Sequence, residues 1–592
     1  MVPAFFAAQC FVTIIVRLSN VRAQMACSRI RKNSVVGIIH GRILTNPATT
    51  KHLHQTRAEH KQHHGSFHMS RWRIFNCIHC VMAVVLACTT NSVSRAQSPA
   101  DEPLTLQART RVEVAPDTDR WHSVVKPMTW TPSETCIVVC DMWDDHWCKQ
   151  SAARVSEMAP KMNEVINQAR ARGVFIIHCP SDTMDFYKDF PQRKLAQAAP
   201  VVETKIPLER WCYLDKTREG EKLPIDDSDG GCDCDSPVKN YRAWSRQHPA
   251  IEIAEQDAIT DSGEAFYLMK QRGIQNVIVM GVHTNMCVLG RPFSIRQMVR
   301  QGQNVVLMRD MTDTMYNPAM APFVSHFTGN DLIAQHIEQY WCPSITSTDI
   351  TGTAPFRFAD DSRKHIVIVT SEPEYKTEVS LTQFAKAELG KDFRVSLVYG
   401  DAQDGSILPG LEVLKSADLA LISVRRRTLL PDQLQQIRDF IGSGKPVIGI
   451  RTASHAFCLR DKPAPDGRAD WVEFDRDVIG GSYTNHHGEG AETTITIAGN
   501  AAEHPLLTGI NVADLHGKGS LYKVSPLQPT ATPLLIGSIP DTAAEPVAWL
   551  NQRKDGARTF YTSLGHVGDF EQPAFRQLLK NACAWLVERP AE

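Results

Sequence analysis

Residues 274–291, IQNVIVMGVHTNMCVLGR, decide how this chain is read. Residues 277–282 form an apolar, β-branched run, the pattern of a fully buried strand. The run closes at Gly281 and a small polar turn, His283-Thr284-Asn285, and Cys287 follows at once. Pro292 then opens a second periodic run, PFSIRQMVRQG, and suits the first turn of a helix. A cysteine so placed lies at a strand's carboxyl end beside backbone N–H groups not yet used. Those groups favour thiolate over thiol and could hold the oxyanion that thiolate attack on a carbonyl creates. An arbitrary cysteine packs as a small hydrophobe. The strand–turn–cysteine–helix setting instead marks Cys287 as a candidate nucleophile, because sites in open α/β sheets gather at strand carboxyl ends.

Working outward, residues 135–141, TCIVVCD, form a second short apolar run that ends in Asp141 and the aromatic turn MWDDHWC. Residues 151–172 have helical spacing and stop at Gly173; residues 174–179 read as a strand. After an irregular insertion, residues 180–249, the alternation resumes. The expected elements are a strand at 251–254, a helix at 261–272, the strand leading to Cys287, and a strand at 304–308. Strand alternating with helix implies an α/β fold with a doubly wound parallel sheet. Two strand ends then carry chemistry. A carboxylate at Asp141 can take a proton from Cys287 and later activate water, which suits hydrolysis through a thioester.

The series IVVCDMWDD, IQNVIVMGVHTNMCV and NVVLMRDMTDTM resembles the isochorismatase-like cysteine hydrolase superfamily, which includes nicotinamidases. The resemblance implies an α/β sandwich, an Asp–Lys–Cys triad and a cis peptide before the cysteine turn, at Val282–His283. Asp141 and Cys287 match the first and third triad members. The lysine should follow the strand before the helix leading to the cysteine strand. On this reading that place falls in IAEQD, residues 253–257, where Glu255 stands and no lysine is found. Lys270 lies at the wrong end of the helix, and Lys205 or Lys239 would have to be delivered by the insertion. A glutamate there would oppose a thiolate rather than support it. Trp143, His178, His283 and Asn285 are the expected substrate-binding residues. Nicotinamidases also bind a metal through an Asp and histidines. His146, His178 and Asp182 do not reproduce that set, so no cofactor is expected and the metal question stays open.

Residues 346–362 read as a linker rich in Ser, Thr, Pro and Asp. Beyond it the alternation restarts, with strands at 365–370, 393–399, 418–424 and 446–450, and helices at 378–389, 431–442 and 573–587. After the strand at 446–450 comes RTASHAF, where a nucleophile elbow would lie in a glutamine-amidotransferase-like sheet. Ser454 beside His455 invites a serine-hydrolase reading, but adjacency is not a nucleophile–base geometry. GGSYTNHHGEG (480–490) and RTFYTSLGHVGDF (558–570) resemble the ThuA-like, trehalose-utilisation family. That resemblance implies a class I glutamine-amidotransferase fold without its catalytic cysteine, associated with sugar metabolism. It places His455, His486 and His566 at the cleft.

The chain has 592 residues, too many for one core. Lys+Arg 64 against Asp+Glu 65 gives no electrostatic case for nucleic acid or anionic membrane. Residues 1–68, rich in Arg, His and Asn without periodicity, read as a disordered or mis-translated leader. Residues 69–97 carry a basic segment, the short apolar stretch CVMAVVLAC and a small-residue cleavage site after Ala96, the pattern of a signal peptide. An exported protein is expected, with a lipid-anchored form through Cys88 as the lesser reading. From residue 100 onward there are eleven cysteines, and an odd number in an oxidising compartment leaves one unpaired. Cys232 and Cys234, in the loop DDSDGGCDCDSP, suggest disulfides to partners elsewhere or, with the neighbouring aspartates, a metal site.

The domain plan is therefore a hydrolase-like domain at 130–345, the linker, and a ThuA-like domain at 363–590. The expected activity is hydrolysis of a small-molecule amide or related C–N bond by Cys287 and Asp141. The alternative is a degenerate hydrolase domain in a carbohydrate-binding or carbohydrate-processing protein. The expected partner is a small molecule, with a sugar derivative at the second domain and no nucleic acid; self-association is left open.

Overall fold

The computed structural model describes residues 102–236, 240–488 and 490–588. The leader, the signal-peptide segment, Cys88 and Lys239 lie outside them. Among the described residues no helix is long and apolar enough to cross a membrane.

The first sheet is built on β3 (Thr135–Cys140), β4 (Phe175–Cys179), β5 (Ala258–Ile259), β6 (Asn276–Val282), β7 (Asn304–Asp313) and β8 (Ser344–Ile345). These pair parallel in the order β8-β7-β6-β3-β4-β5. A hairpin of β1 (Leu104–Glu113) and β2 (Trp121–Trp130) extends the sheet antiparallel beyond β8. Alternate side chains of the central strands enter two separate cores, as the period of a strand requires. Ile137, Val139, Ile278 and Met280 pack with Met158, Met162 and Val165 of helix α1 (Lys149–Ala171) on one face. Val138, Val277 and Val279 face α2 (Glu264–Gln271), α3 (Cys287–Gly290), α4 (Ile295–Arg300) and α5 (His326–Tyr340) on the other. Burial on both faces explains why these strands read as continuous apolar runs.

The second sheet has nine strands. Five are parallel: β9 (Lys364–Ser371), β10 (Phe393–Tyr399), β11 (Leu419–Val424), β12 (Val447–Ile450) and β19 (Arg558–Thr562), in the order β10-β9-β11-β12-β19. An antiparallel extension continues through β18 (Glu545–Gln552), β17 (Ala531–Ser538), β14 (Thr493–Ile497) and β15 (His516–Gly517), while β13 (Asn485–His486) and β16 (Tyr522–Lys523) form a separate antiparallel pair. Helices α6 (Thr377–Phe384) and α8 (Pro573–Glu588) cover one face, and α7 (Pro431–Gly442) the other. The α/β reading therefore stands, with sheets that are parallel at the centre and antiparallel at one flank. Between the sheets, residues 346–362 carry a short helix, Thr348–Thr351, and the buried Phe358, which stacks on Phe327 of α5 at 5.6 Å.

One expected strand is displaced. Residues 251–254 form no strand; β5 is the two-residue segment that follows, Ala258–Ile259. The short apolar alternation at 251–254 is held as irregular chain instead, with Asp257 Oδ2 accepting from Ala254 N–H at 2.8 Å.

Candidate active site

Cys140 pairs with Gly281 across the parallel β3–β6 ladder, so the residues following the two strands enter one space. Gly281 permits that approach. Its φ is +110°, and a Cβ there would lie 2.0 Å from the Cys140 carbonyl oxygen. Asp141 follows at φ +46°, a left-handed conformation held by its own N–H to Cys179 O at 3.1 Å. Its Oδ1 accepts from Ser181 N–H at 2.7 Å. The Asp141 carboxyl is fully buried, and its charge acts on the Cys287 thiol.

The third group is Arg291. Its Nε lies 3.4 Å from Asp141 Oδ2, Nη2 lies 3.7 Å from Asp182 Oδ2, and its charge acts on Cys287. It sits over the Trp211 ring at 5.6 Å. Cys287 and Arg291 are four apart across the single turn of α3, the spacing that puts two side chains on one helical face. Glu255 is exposed on the turn before β5 and plays no part in this cluster. The segment between β5 and α2, Thr260 to Gly263, holds no lysine either, and Lys270 Nζ donates to Gln303 instead. The cation comes from the opposite direction, the end of the cysteine turn.

Burial pushes Asp141 up from the ordinary carboxylate range, with Arg291 pulling the other way. Burial, then the Asp141 charge, pushes the Cys287 thiol well up. Both causes act against the thiolate that the strand–turn–cysteine setting favours. One turn of helix offers too little dipole to outweigh desolvation and an adjacent anion. The peptide Val282–His283 is cis, where the resemblance implies it. In the turn, Met286 N–H donates to His283 O at 3.0 Å and Val288 N–H to the same oxygen at 3.2 Å. The Cys287 N–H has no partner among the described residues and is free to donate.

The substrate-binding residues expected from sequence divide. Trp143 lies against Trp244 (4.2 Å between rings) and His146 (6.0 Å), forming an aromatic wall beside Asp141, and its Nε1 donates to Ser181 O. His283 is buried with Nε2 2.6 Å from Ser151 Oγ, and burial lowers it to about 3, so the ring stays neutral. His178 is not a pocket residue: Nδ1 meets Gln247 Oε1 at 2.9 Å and Nε2 meets Asp257 Oδ2 at 3.1 Å, both inside the core. Asn285 is spent on structure, its amide bonded to Asp227 Oδ2, Met315 O and Met315 N–H. His146, His178 and Asp182 do not meet as a metal set either. His146 Nδ1 accepts from Cys148 N–H, His178 is tied as above, and Asp182 faces Arg291.

In the second domain the tight turn after β12 belongs to Arg451, at φ +44° and 2% exposed. Its guanidinium donates to Ser563 O at 2.8 Å and Tyr375 Oη at 3.2 Å, and stacks over Tyr375 and Tyr522. Ser454 Oγ does lie 3.1 Å from His455 Nδ1, but it also donates to Arg451 O inside the turn. An arginine at the elbow supplies no nucleophile. His455 stacks on Tyr483 at 4.7 Å, His486 lies 6.3 Å from Tyr522, and His566 lies 5.8 Å from Tyr375. The three histidines therefore gather around Arg451 and three tyrosines that the sequence reading did not name. The cue was present, since Arg451 directly follows a buried strand.

The architecture is that of two α/β domains in one chain, the first with a buried Asp–Cys pair at adjacent strand ends. The first is similar to isochorismatase domains and the second to ThuA-like, trehalose-utilisation domains. A family model described as "Isochorismatase domain" matches residues 135–320, and one described as "Trehalose utilisation" matches residues 365–586. Among solved structures, a putative ThuA-like protein from Bacteroides uniformis is 16% identical, covering 40% of this chain and 97% of its own (TM-score 0.31). A cysteine hydrolase from Pseudomonas syringae pv. phaseolicola is also 16% identical, covering 37% of this chain and 92% of its own (TM-score 0.23). An isochorismatase family protein from Burkholderia thailandensis is 15% identical over 37% of this chain and 95% of its own (TM-score 0.22). A comparison with curated proteins gives no match.

Proposed function

We propose that the first domain hydrolyses a small-molecule amide or related C–N bond through a thioester on Cys287. The observation that carries this reading is the convergence of Asp141, Cys287 and Arg291 at the ends of two paired strands. As Sγ bonds the carbonyl carbon, its proton passes to Asp141. The carbonyl electrons move onto oxygen, which the Cys287 N–H receives. Collapse breaks the C–N bond, and Asp141 returns the proton to the departing nitrogen. Asp141 then takes a proton from water, which attacks the thioester and releases the acid and the thiol. Arg291 keeps Asp141 ionised before attack and faces the negative sulfur during it. The Trp143–Trp244–His146 wall favours a flat acyl group.

For the second domain we propose ligand binding rather than bond cleavage, with a sugar derivative as the class. Its support is the non-nucleophilic elbow and the tyrosines and histidines around it, since aromatic faces and neutral donors suit a polyhydroxylated ring.

The test is a screen of small carboxamides with wild type, Cys287→Ser and Asp141→Asn, with trapping of the acyl-enzyme by mass spectrometry. Amide turnover with a Cys287 adduct in the wild type alone is expected. Turnover that survives Cys287→Ser, or no adduct from any carboxamide, would sink the reading.

A further inference from the structure

Outside the Asp–Cys–Arg cluster, three more sulfurs converge. Cys148 precedes the first turn of α1, while Cys232 and Cys234 come from the insertion some eighty residues later. Their Sγ atoms all lie within 4.8 Å of one another, and those of Cys148 and Cys234 are 3.7 Å apart. Two ligands of a tetrahedral zinc, each with a Zn–S bond of about 2.3 Å, sit roughly 3.8 Å apart, whereas a disulfide needs about 2.05 Å. The Cys148 thiol also lies 3.4 Å from Asp233 Oδ1, to which it donates. Cys148 is the N-cap of α1, and the positive end of that long helix favours a thiolate. A disulfide between any two would leave the third sulfur beside it unpaired.

We propose that Cys148, Cys232 and Cys234 form a three-thiolate site for a thiophilic divalent cation, zinc before others, that staples residues 226–236 to the start of α1. Three protein ligands leave one tetrahedral position to solvent. The staple would hold more than the loop itself. Asp227 Oδ2 accepts from Asn285 Nδ2 at 2.7 Å, inside the cysteine turn. Asp233 pairs with Arg154 at 2.7 Å, and Arg154 pairs with Asp313 at 2.8 Å, at the end of β7. Gly231 (φ +72°) lies so close to Met315 that a Cβ would meet its carbonyl oxygen at 2.4 Å. The loop is thus registered against the turn that presents Cys287, and the metal would fix that register independently of the hydrolytic chemistry.

The test uses the full chain purified without chelator. We expect about one zinc per chain by elemental analysis, falling below about a tenth in Cys234→Ser, with metal-blocked alkylation at these three cysteines. Retention of metal in Cys234→Ser would assign it to other donors and overturn the site. Because a serine variant can misfold, the wild type is also exchanged into cobalt. Thiolate-to-cobalt charge-transfer bands that are absent from Cys148→Ser support the site. Wild type with no metal and no such bands, or with a disulfide between any two of the three, refutes it.

Discussion

Arg291 Nε lies 3.4 Å from Asp141 Oδ2 although 150 positions separate the two residues, and Arg291 is only four positions from Cys287. One cation therefore faces both the buried Asp141 carboxyl and the buried Cys287 thiol. Replacing Arg291 with Met should lower kcat/KM by about 10²–10³, the range for removing one charge-stabilising donor. It should also lower stability by roughly 3–5 kcal/mol, because Asp141 would be left buried without its partner. Arg291→Lys should recover part of both, since it restores charge without the planar fork. Steady-state kinetics beside urea unfolding check this; an Arg291→Met enzyme with wild-type kcat/KM would remove arginine from the mechanism.

Asp141→Asn separates thiol reactivity from turnover. The Asp141 charge is a cause of the raised Cys287 thiol, so its removal should make alkylation of Cys287 faster at a given pH. The same change removes the base and should abolish hydrolysis. In the wild type, kcat/KM should rise with pH as Asp141 ionises, with its midpoint above the usual carboxylate value because burial raises it. Alkylation should rise only at strongly alkaline pH. Wild-type alkylation that is already fast at neutral pH would contradict a resting thiol.

How much of this was legible in sequence follows from which interactions are local. The β3 and β6 runs, buried on both faces, are unbroken apolar stretches, and Pro431 and Gly442 bracket α7 where turn chemistry predicts. The two-residue β5 is too short for any periodicity, which moved the expected triad position onto Glu255. Arg291 was in plain view, at i+4 from Cys287 on a helical turn, but its meeting with Asp141 depends on the β3–β6 register, a non-local fact. The same holds for the cysteine cluster, which joins α1 to a loop about eighty residues away. His178 failed as a pocket residue because a strand residue one position before the strand's end points into the core, where Gln247 and Asp257 satisfy it.

Acid stability should depend on Glu219. Burial alone would raise this carboxyl, but hydrogen bonds from His336, Arg296, Asp215 N–H and Trp341 hold it down at about 2. A carboxyl lowered on folding stabilises the fold above its unfolded value of 4.5, and that contribution fades as pH falls toward about 2. The difference corresponds to roughly 3 kcal/mol. Glu219→Gln should therefore be less stable than wild type at pH 7, and the gap should close between pH 4.5 and 2. Urea midpoints across that range check it; a pH-independent gap would mean the loss is packing alone.

Arg451 tests the division of labour between the domains. Its guanidinium bridges Ser563 O at the end of β19 to Tyr375 Oη after β9, and stacks between Tyr375 and Tyr522. Removing it should loosen the tyrosine cluster around which His455, His486 and His566 gather, leaving the Asp141–Cys287–Arg291 cluster of the other sheet untouched. Arg451→Met should thus weaken binding of a sugar derivative by at least about tenfold, as expected when a buried charged donor loses its role. Cys287 alkylation and amide turnover should stay at wild-type values. Because Arg451 is buried, Tyr483→Ala provides the companion variant: it removes the ring stacked on His455 without touching the elbow. Calorimetric titration with small sugars and their acids, alongside the amide assay, reads both outputs. If both variants bind every sugar as the wild type does, the cluster is not a ligand site. If either also abolishes amide turnover while remaining folded, the domains act as one catalytic unit.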